Sequence, residues 1–269
     1  MNAVTDKPLH IALLIDADNA PADKIDEILT ELSTLGVINV RRAYGNWTKG
    51  GLNGWQSKLL EFAIRPMQQF DYSKRKNATD MAMTVDAMEL LYTEHPDAFG
   101  IVSSDADFTP LVMHLRAKGS AVYGFGAQQT PQPFVNACSR FLYLESLGEA
   151  PATGSSEASG DSVPVVAADD LAAPGLPARP ATLRLEPGKL RQDTRLVNLL
   201  RDAVNASRDE TGWALIGAVG TQIANKTPFD ARNYGYATLS KLIIATDLFE
   251  VRDEGTSRVS VRDKRKKPA

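Results

Sequence analysis

The fold is decided by the stretch Ile11-Ala12-Leu13-Leu14-Ile15-Asp16-Ala17-Asp18-Asn19. Its uninterrupted apolar run is typical of a strand that is buried on both faces, as in a parallel sheet. The acidic residues follow at the carboxyl end of that strand, which is the end where ligands bind in open α/β sheets. We therefore expect the strand to end near Ile15 and Asp16 to point into a crevice.

A second stretch repeats this pattern: Gly100-Ile101-Val102-Ser103-Ser104-Asp105-Ala106-Asp107-Phe108. Around the two stretches, apolar strand-like segments alternate with helical spacings four or five times, with further strands expected at 37–44 and about 68–72. A helix that begins near Asp80 is expected to carry an apolar face with Met81 and Val85. This β-α order predicts a parallel, doubly wound sheet with helices on both faces.

Composition places the chain among soluble globular proteins. It has 269 residues, of which 43% are hydrophobic, and one cysteine, Cys138, so that an intrachain disulfide is excluded. Apolar runs all fall short of the roughly 20 residues that span a bilayer. Residues 1–10 lack the basic and then apolar layout of a signal peptide. These features predict a cytoplasmic protein without membrane association.

The composition changes twice along the chain. Residues 149–188 are dense in Ala, Pro, Gly, Ser and Asp, which is typical of a flexible linker. Three helical patterns follow, and then Phe249–Val251 and Val259–Val261, which we expect to pair as a hairpin. The predicted organisation is an α/β domain at 1–148, the linker at 149–188, a small winged helix-turn-helix domain at 189–262 and a basic tail at 263–269.

Charge is unevenly distributed over these segments. The first 148 residues carry a net charge of −4, whereas residues 189–269 carry +5. An acidic front followed by a basic back fits a metal-using domain followed by a domain that binds a polyanion. Such imbalances are also common on protein surfaces without specific meaning.

Four acids are candidates for one site, namely Asp16, Asp80, Asp105 and Asp107. Any one of them can be a solvated or helix-capping residue, and Asp18 or Asn19 is a candidate cap for the helix after the first strand. If the two acid-ending strands are neighbours, however, all four acids converge at the crevice. Close carboxylates repel one another unless cations intervene, and an oxygen-only ligand set suits Mg²⁺ or Mn²⁺. A divalent ion held by acids is a standard device for phosphodiester chemistry.

A basic loop, Lys74-Arg75-Lys76, leads into the helix that carries Asp80. It is a candidate contact for a nucleic-acid backbone, and a solvated turn is an equally good interpretation. Trp47, in a glycine-rich loop, is a weaker candidate for base stacking, because such a residue more often packs locally.

Three segments together resemble the signature segments of NYN domains, a family of the PIN-like ribonuclease superfamily: Leu14–Asn19, Lys76–Asp80 with Asp86 beyond it, and Val102–Phe108. The resemblance covers roughly residues 8–145. It implies a PIN-like fold with strand order 3-2-1-4-5 and metal-dependent cleavage of RNA. It also implies that Asp16, Asp80, Asp105 and Asp107 are catalytic metal-binding acids, and that Asn19 is a catalytic residue that orients the site or the substrate.

Two departures from the family pattern stand out. Ser104 occupies a position that is usually Gly or Asn, and the segment before Asp80 is longer by one residue, which weakens the assignment of Lys76.

The C-terminal part, roughly residues 190–261, resembles an OST-HTH (LOTUS) domain. The matching features include Gly212-Trp213-Ala214 and the segment Phe229–Gly235. The resemblance implies RNA binding, with Arg232, Asn233 and Lys241 as candidate backbone contacts. An ordinary polar helix start explains these three residues equally well.

The sequence thus favours a metal-dependent ribonuclease, expected to be an endonuclease, with RNA as its partner. Two alternatives stay open, a non-catalytic RNA-binding regulator and a phosphatase of the haloacid-dehalogenase type. The phosphatase ranks last, because Ala20 stands where that family has Thr or Val. The oligomeric state is open, and a homodimer is one arrangement that the sequence allows.

Overall fold

The computed structural model of the protein describes residues 8–70, 78–148, 184–256 and 258–265. The predicted basic loop with Lys74, Arg75 and Lys76 lies outside the described residues. The same holds for most of the predicted linker and for the end of the basic tail. Within the described ranges, no helix has both the length and the apolar character needed to cross a membrane.

The N-terminal unit is an α/β structure whose described strands form one six-stranded parallel sheet in the order β3-β2-β1-β4-β5-β6. This confirms the doubly wound parallel sheet and the order 3-2-1-4-5, with β6 added at one edge. The strands are β1 Leu9–Asp16, β2 Gly36–Gly45, β3 Arg65–Gln68, β4 Ala98–Val102, β5 Ala121–Gly126 and β6 Arg140–Tyr143. The helices are α1 Ile25–Ser33, α2 Asn53–Glu61, α3 Ala78–Thr93, α4 Thr109–Ala117 and α5 Gln132–Ala137.

Strand β1 is buried on both faces, as its apolar run predicts. Ile11, Leu13 and Ile15 pack in the layer with α1 and α2, whereas Ala12 and Leu14 pack in the layer with α3, α4 and α5. Because side chains alternate along a strand, Asp16 continues the second set and lies on the α3 side of the sheet. The strand therefore aims its terminal carboxylate at the helix that carries Asp80.

Two local expectations were wrong. The third strand was expected at about 68–72, but it lies at Arg65–Gln68 and includes Pro66. A proline is tolerated there because β3 is the edge strand. The exposed face of α3, rather than its buried face, carries Met81 and Val85, which are 66% and 64% exposed. Helix α3 instead buries Met83, Asp86, Ala87, Leu90 and Leu91.

The C-terminal unit is helical and carries a small antiparallel sheet in the order β7-β9-β8. Its helices are α6 Pro187–Gln192, α7 Thr194–Ser207, α8 Ile216–Lys226 and α9 Leu239–Thr246, and its strands are β7 Ala214–Leu215, β8 Phe249–Arg252 and β9 Ser260–Asp263. The expected hairpin is confirmed, with Val251 opposite Val261. Helix α6 and strand β7 are additional elements, and α6 begins within the segment that was assigned to the linker.

Candidate active site

Asp16 is the most deeply buried acid at the carboxyl end of the sheet, with no exposed surface. Its Oδ2 accepts hydrogen bonds from Asn19 Nδ2 at 3.0 Å and from Ser103 Oγ at 2.9 Å. Its Oδ1 is buried and has no hydrogen-bond partner. Burial raises the pKa of Asp16, although the bonds from Asn19 and Ser103 oppose the shift. A buried carboxylate oxygen without a donor is costly, and a proton, a hydrogen-bond donor or a cation at this atom would relieve that cost.

Asp80 lies in the first turn of α3, and its carboxyl is influenced by the negative charges of the other acids of the crevice. Its pKa is raised to about 6, first by burial and then by the negative charges of Asp16, Asp105 and Asp107. Because these charges act on one carboxyl, the structure brings the four predicted acids into one electrostatic neighbourhood. The pairing of β1 with β4 brings the ends of both strands, which lead to Asp16 and Asp105, to the same edge of the sheet.

The loop after β4 is shaped by side chains that bond to its own backbone. Ser103 Oγ, which donates to Asp16, also accepts from the backbone N–H of Asp105 at 3.1 Å. Asp105 Oδ1 accepts from the N–H of Asp107 at 2.8 Å. Ser104 Oγ accepts from the N–H of Ala127 at 2.8 Å, which ties this loop to the end of β5. Ser103 thus joins the two acid-bearing strand ends, a role that the sequence pattern did not reveal.

Asp18 and Asn19 do not cap the helical turn that follows them. The turn begins after Pro21 and receives no side-chain cap. Asp18 is exposed and accepts from Thr79 Oγ1 at 2.8 Å, whereas Asn19 donates to Asp16. Asp18 therefore ties the loop after β1 to the start of α3, and Asn19 orients the Asp16 carboxylate. Sequence reasoning missed Thr79. The one sequence feature that could have indicated its role is its position next to Asp80.

A cleft of about 520 Å³ opens beside these acids. Its lining includes Asp18, Asn19, Thr79, Asp80, Lys49 and Trp55. Trp55 is held in place by a hydrogen bond from its Nε1 to the carbonyl of Ala20 at 3.2 Å. The cleft is therefore lined by both acidic and basic side chains, Asp18, Asp80 and Lys49.

Beneath the crevice, Asp86 of α3 accepts hydrogen bonds from Arg42 Nη1 and from the Tyr44 hydroxyl, both on β2. Burial and the neighbouring Asp86 raise the pKa of Tyr44 well above its usual range, so this hydroxyl remains a donor. Tyr44 is also the strand partner of Asp16 in the β1–β2 register. The Asp86 contacts therefore fix α3, and with it Asp80, against the strand next to Asp16.

The residues predicted to contact RNA lie in different settings. Lys241 is exposed on α9. Arg232 and Asn233 instead contact the N-terminal unit, where Arg232 pairs with Glu31 of α1 and Asn233 bonds to the backbone of β6. The structure gives these two residues a protein partner because their segment packs against the sheet edge. Trp47 packs partly buried against the α1 side of the core, as the local interpretation had it.

Among the described residues, no group of three or more His, Cys, Asp or Glu side chains is gathered closely enough to hold an ion. The donor chemistry nevertheless suits a hard divalent cation, because the crevice offers carboxylate oxygens and Asp16 Oδ1 has no other partner. Whether Asp16, Asp80, Asp105 and Asp107 bind an ion together stays a prediction, because the described side chains do not form a closed ligand group.

Comparison with known proteins identifies both units. The NYN domain family matches residues 10–145, which is half of the chain. The chain belongs to the NYN domain family. Its C-terminal unit matches the OST-HTH/LOTUS domain at residues 191–261. The NYN domain thus holds the acids, and the OST-HTH domain holds Lys241, Arg232 and Asn233. NYN and other PIN-like nucleases generally use divalent metals.

Individual relatives add little about activity. The chain is 35% identical over 127 residues to the uncharacterized protein MJ0482 of Methanocaldococcus jannaschii, covering 44% of this chain and 48% of the relative. The chain thus spans about half the length of that relative. A Vibrio parahaemolyticus protein of unknown function is 20% identical with a TM-score of 0.42, covering 53% of this chain and 96% of that one. An uncharacterized Nitrosomonas europaea protein is 29% identical with a TM-score of 0.24, at 38% and 95% coverage.

Proposed function

We propose that this protein is a metal-dependent ribonuclease that hydrolyses RNA phosphodiester bonds endonucleolytically, with the OST-HTH domain as its RNA-binding module. The observation that carries the proposal is Asp16 Oδ1, a buried carboxylate oxygen without a protein donor, in one of the acids whose charges raise the pKa of Asp80. The membership of the NYN domain in a nuclease superfamily supports the same chemistry.

Asp16, Asp80, Asp105 and Asp107 would hold Mg²⁺ or Mn²⁺. When bound, the ion would acidify a water molecule and neutralise charge on the phosphate. The chain's own residues prepare the site. Asn19 and Ser103 occupy Asp16 Oδ2 and so leave Oδ1 for the cation. The cleft lined by Lys49 and Trp55 would receive the RNA segment to be cleaved.

The test uses the purified full chain with linear single-stranded RNA, a structured hairpin RNA and a circular single-stranded RNA. We expect Mn²⁺ or Mg²⁺ to support cleavage of the linear and circular RNAs and EDTA to abolish it. A circular RNA has no ends, so its cleavage identifies an endonuclease. RNA binding without metal-dependent cleavage would instead support the non-catalytic regulator. Turnover of a generic phosphate ester that is lost in Asp16→Asn would support the phosphatase.

Metal affinity should depend on pH through Asp80. Its pKa of about 6 means that protons and the cation compete for the carboxylate as pH falls toward and below that value. We expect the Mn²⁺ affinity measured by calorimetry to fall about 10-fold between pH 7.5 and pH 5.0. At pH 5.0, one unit below the pKa, most Asp80 carboxyls carry a proton that the cation must displace. Asp26→Asn, at an exposed acid of α1, should keep this dependence. Equal affinities at the two pH values would remove Asp80 from the site.

Three described residues of the OST-HTH domain were predicted to contact RNA. Of these three, Lys241 is the one that is exposed. If it neutralises one phosphate, Lys241→Ala should weaken RNA binding about 3- to 10-fold and lower the salt slope by about one. The matched control is Lys226→Ala, at an exposed lysine of α8 that pairs with Asp202. Fluorescence anisotropy at several salt concentrations measures both effects. An unchanged slope in Lys241→Ala would exclude the contact.

A further inference from the structure

The segment Phe229–Gly235 of the OST-HTH domain, called here the docking segment, lies against the NYN domain. Four charges of alternating sign form a closed ring there, with Glu31 and Arg140 from the NYN domain and Asp230 and Arg232 from the docking segment. Successive N···O distances are 3.4 Å for Arg140–Glu31, 2.5 Å for Arg140–Asp230, 3.0 Å for Arg232–Asp230 and 2.5 Å for Arg232–Glu31. Each charge therefore has an opposite partner on both sides.

The two acidic side chains of the ring are largely buried. The side chains of Glu31 and Asp230 are 12% and 6% exposed. Burial alone would raise the pKa of Asp230, but the bonds and charges of Arg232 and Arg140 outweigh it and hold that pKa below its usual range. Partly buried charge-assisted pairs of this kind are stronger than solvent-exposed ones.

Asn233 makes a second, uncharged contact with the NYN domain. Its Nδ2 donates to the carbonyl of Phe141 at 2.9 Å, and its Oδ1 accepts from the N–H of Tyr143 at 3.1 Å. Both backbone groups belong to β6, the edge strand of the parallel sheet. An open strand edge exposes unpaired backbone groups that invite wrong partners. The Asn233 amide satisfies two of these groups, as a neighbouring strand would.

We propose that the docking segment is an interaction element whose partner is the NYN domain of the same chain, and that it holds the two domains as one unit. Residues 149–183 join the two domains covalently, so each is present near the other at a high effective concentration. The guanidinium of Arg232 is already engaged by Glu31 and Asp230, and the Asn233 amide by β6. RNA would therefore have to compete with these contacts for the hydrogen-bonding groups of both side chains.

The experiment measures the distance between the domains in the full chain by pulsed electron spin resonance. Spin labels are attached to Met113→Cys on α4 and Gln222→Cys on α8, both at exposed positions. Cys138 is buried, and burial raises its pKa to about 12, so it does not compete for the label. We expect a single narrow distance distribution that does not change on dilution, in a protein that sediments as a monomer.

The decisive variant inverts the NYN side of the ring with Glu31→Arg and Arg140→Glu, which places like charges on both contacts between the domains. The distribution should become broad and shift to longer distances by more than about 10 Å, because only the covalent connection would then join the domains. The control inverts an ion pair of α2 with Lys58→Glu and Glu61→Lys, and it should keep the wild-type distance.

Asn233→Ala provides a second variant without any change of charge. It should produce a measurable population of long distances. If the inverted protein does not fold, this variant tests the proposal in its place. A wild-type distance in the inverted variant would overturn the proposal. So would a narrow distance that disappears on dilution together with dissociation of a dimer, because the partner would then be a second copy. None of these outcomes depends on whether the protein cleaves RNA.

Discussion

Asp16→Asn is expected to lower the rate of RNA cleavage by on the order of 1000-fold, about 4 kcal/mol of transition-state stabilisation. The substitution removes the charge of the carboxylate whose Oδ1 is buried without a partner. It keeps the size of the side chain and an oxygen that accepts from Ser103. Single-turnover kinetics with a labelled RNA and Mn²⁺ measure the loss.

The same variant should be at least as stable as the wild type when metal is removed. Burial raises the pKa of Asp16 in the folded state, so ionisation at neutral pH opposes folding and the neutral amide avoids that cost. A lower rate together with an unchanged or higher melting temperature therefore separates a catalytic role from a folding role.

Asp18→Asn is the matched control, because Asp18 is a neighbouring acid that is exposed and bonded to Thr79. We expect its cleavage rate to fall less than about 10-fold, since a surface side chain contributes little to such a site. Cleavage by Asp16→Asn within a few-fold of the wild type would remove Asp16 from the mechanism.

Asp86→Ala is expected to lower the free energy of unfolding by about 3–5 kcal/mol, the cost of removing one partner from a buried ion pair. The side chains of Asp86 and Arg42 are 12% and 22% exposed, and the fully buried Tyr44 also donates to this carboxylate. The substitution leaves the Arg42 charge and the Tyr44 hydroxyl without their acceptor. Urea unfolding followed by circular dichroism measures the change.

Asp86→Asn is the conservative comparison. Its amide oxygen still accepts from Tyr44, so we expect a smaller loss of about 1–2 kcal/mol. A loss below about 1 kcal/mol in Asp86→Ala would mean that the contacts of Asp86 with β2 do not hold α3 in place.

The sequence predicted what depends on local pattern. The apolar run before Asp16 identified a strand buried on both faces, and the repeated acidic ending before Phe108 identified its partner. The β-α alternation around these segments predicted the parallel sheet, and the resemblance to NYN domains implied the adjacency of β1 and β4. Hydrophobic periodicity likewise predicted the β8–β9 hairpin.

The sequence could not predict contacts between side chains that lie far apart along the chain. Ser103 bonds to Asp16, and Thr79 bonds to Asp18, only because the fold places the β4 loop and the start of α3 at the same strand end. Asp86 looked like a second acid of the NYN signature, and its pairing with Arg42 depends on which face α3 buries.

The docking segment shows the same limit more clearly. Arg232 and Asn233 are polar and basic residues in a winged-helix unit, a composition that indicates nucleic-acid contact. Their partners Glu31 and Phe141 lie in the other domain, and no periodicity connects segments so distant in sequence. Composition alone therefore carried no sign of the contacts that Arg232 and Asn233 make with the other domain.

The proposed ribonuclease activity depends on Asp16 Oδ1 as a ligand of the catalytic cation. The most direct test is a crystal structure of the full chain soaked in Mn²⁺, with the metal located by its anomalous scattering. We predict an anomalous peak about 2.0–2.4 Å from Asp16 Oδ1, the range for a hard cation and a carboxylate, with Asp80, Asp105 or Asp107 in the same coordination sphere. A saturated crystal with Mn²⁺ bound elsewhere and no peak at Asp16 would contradict it.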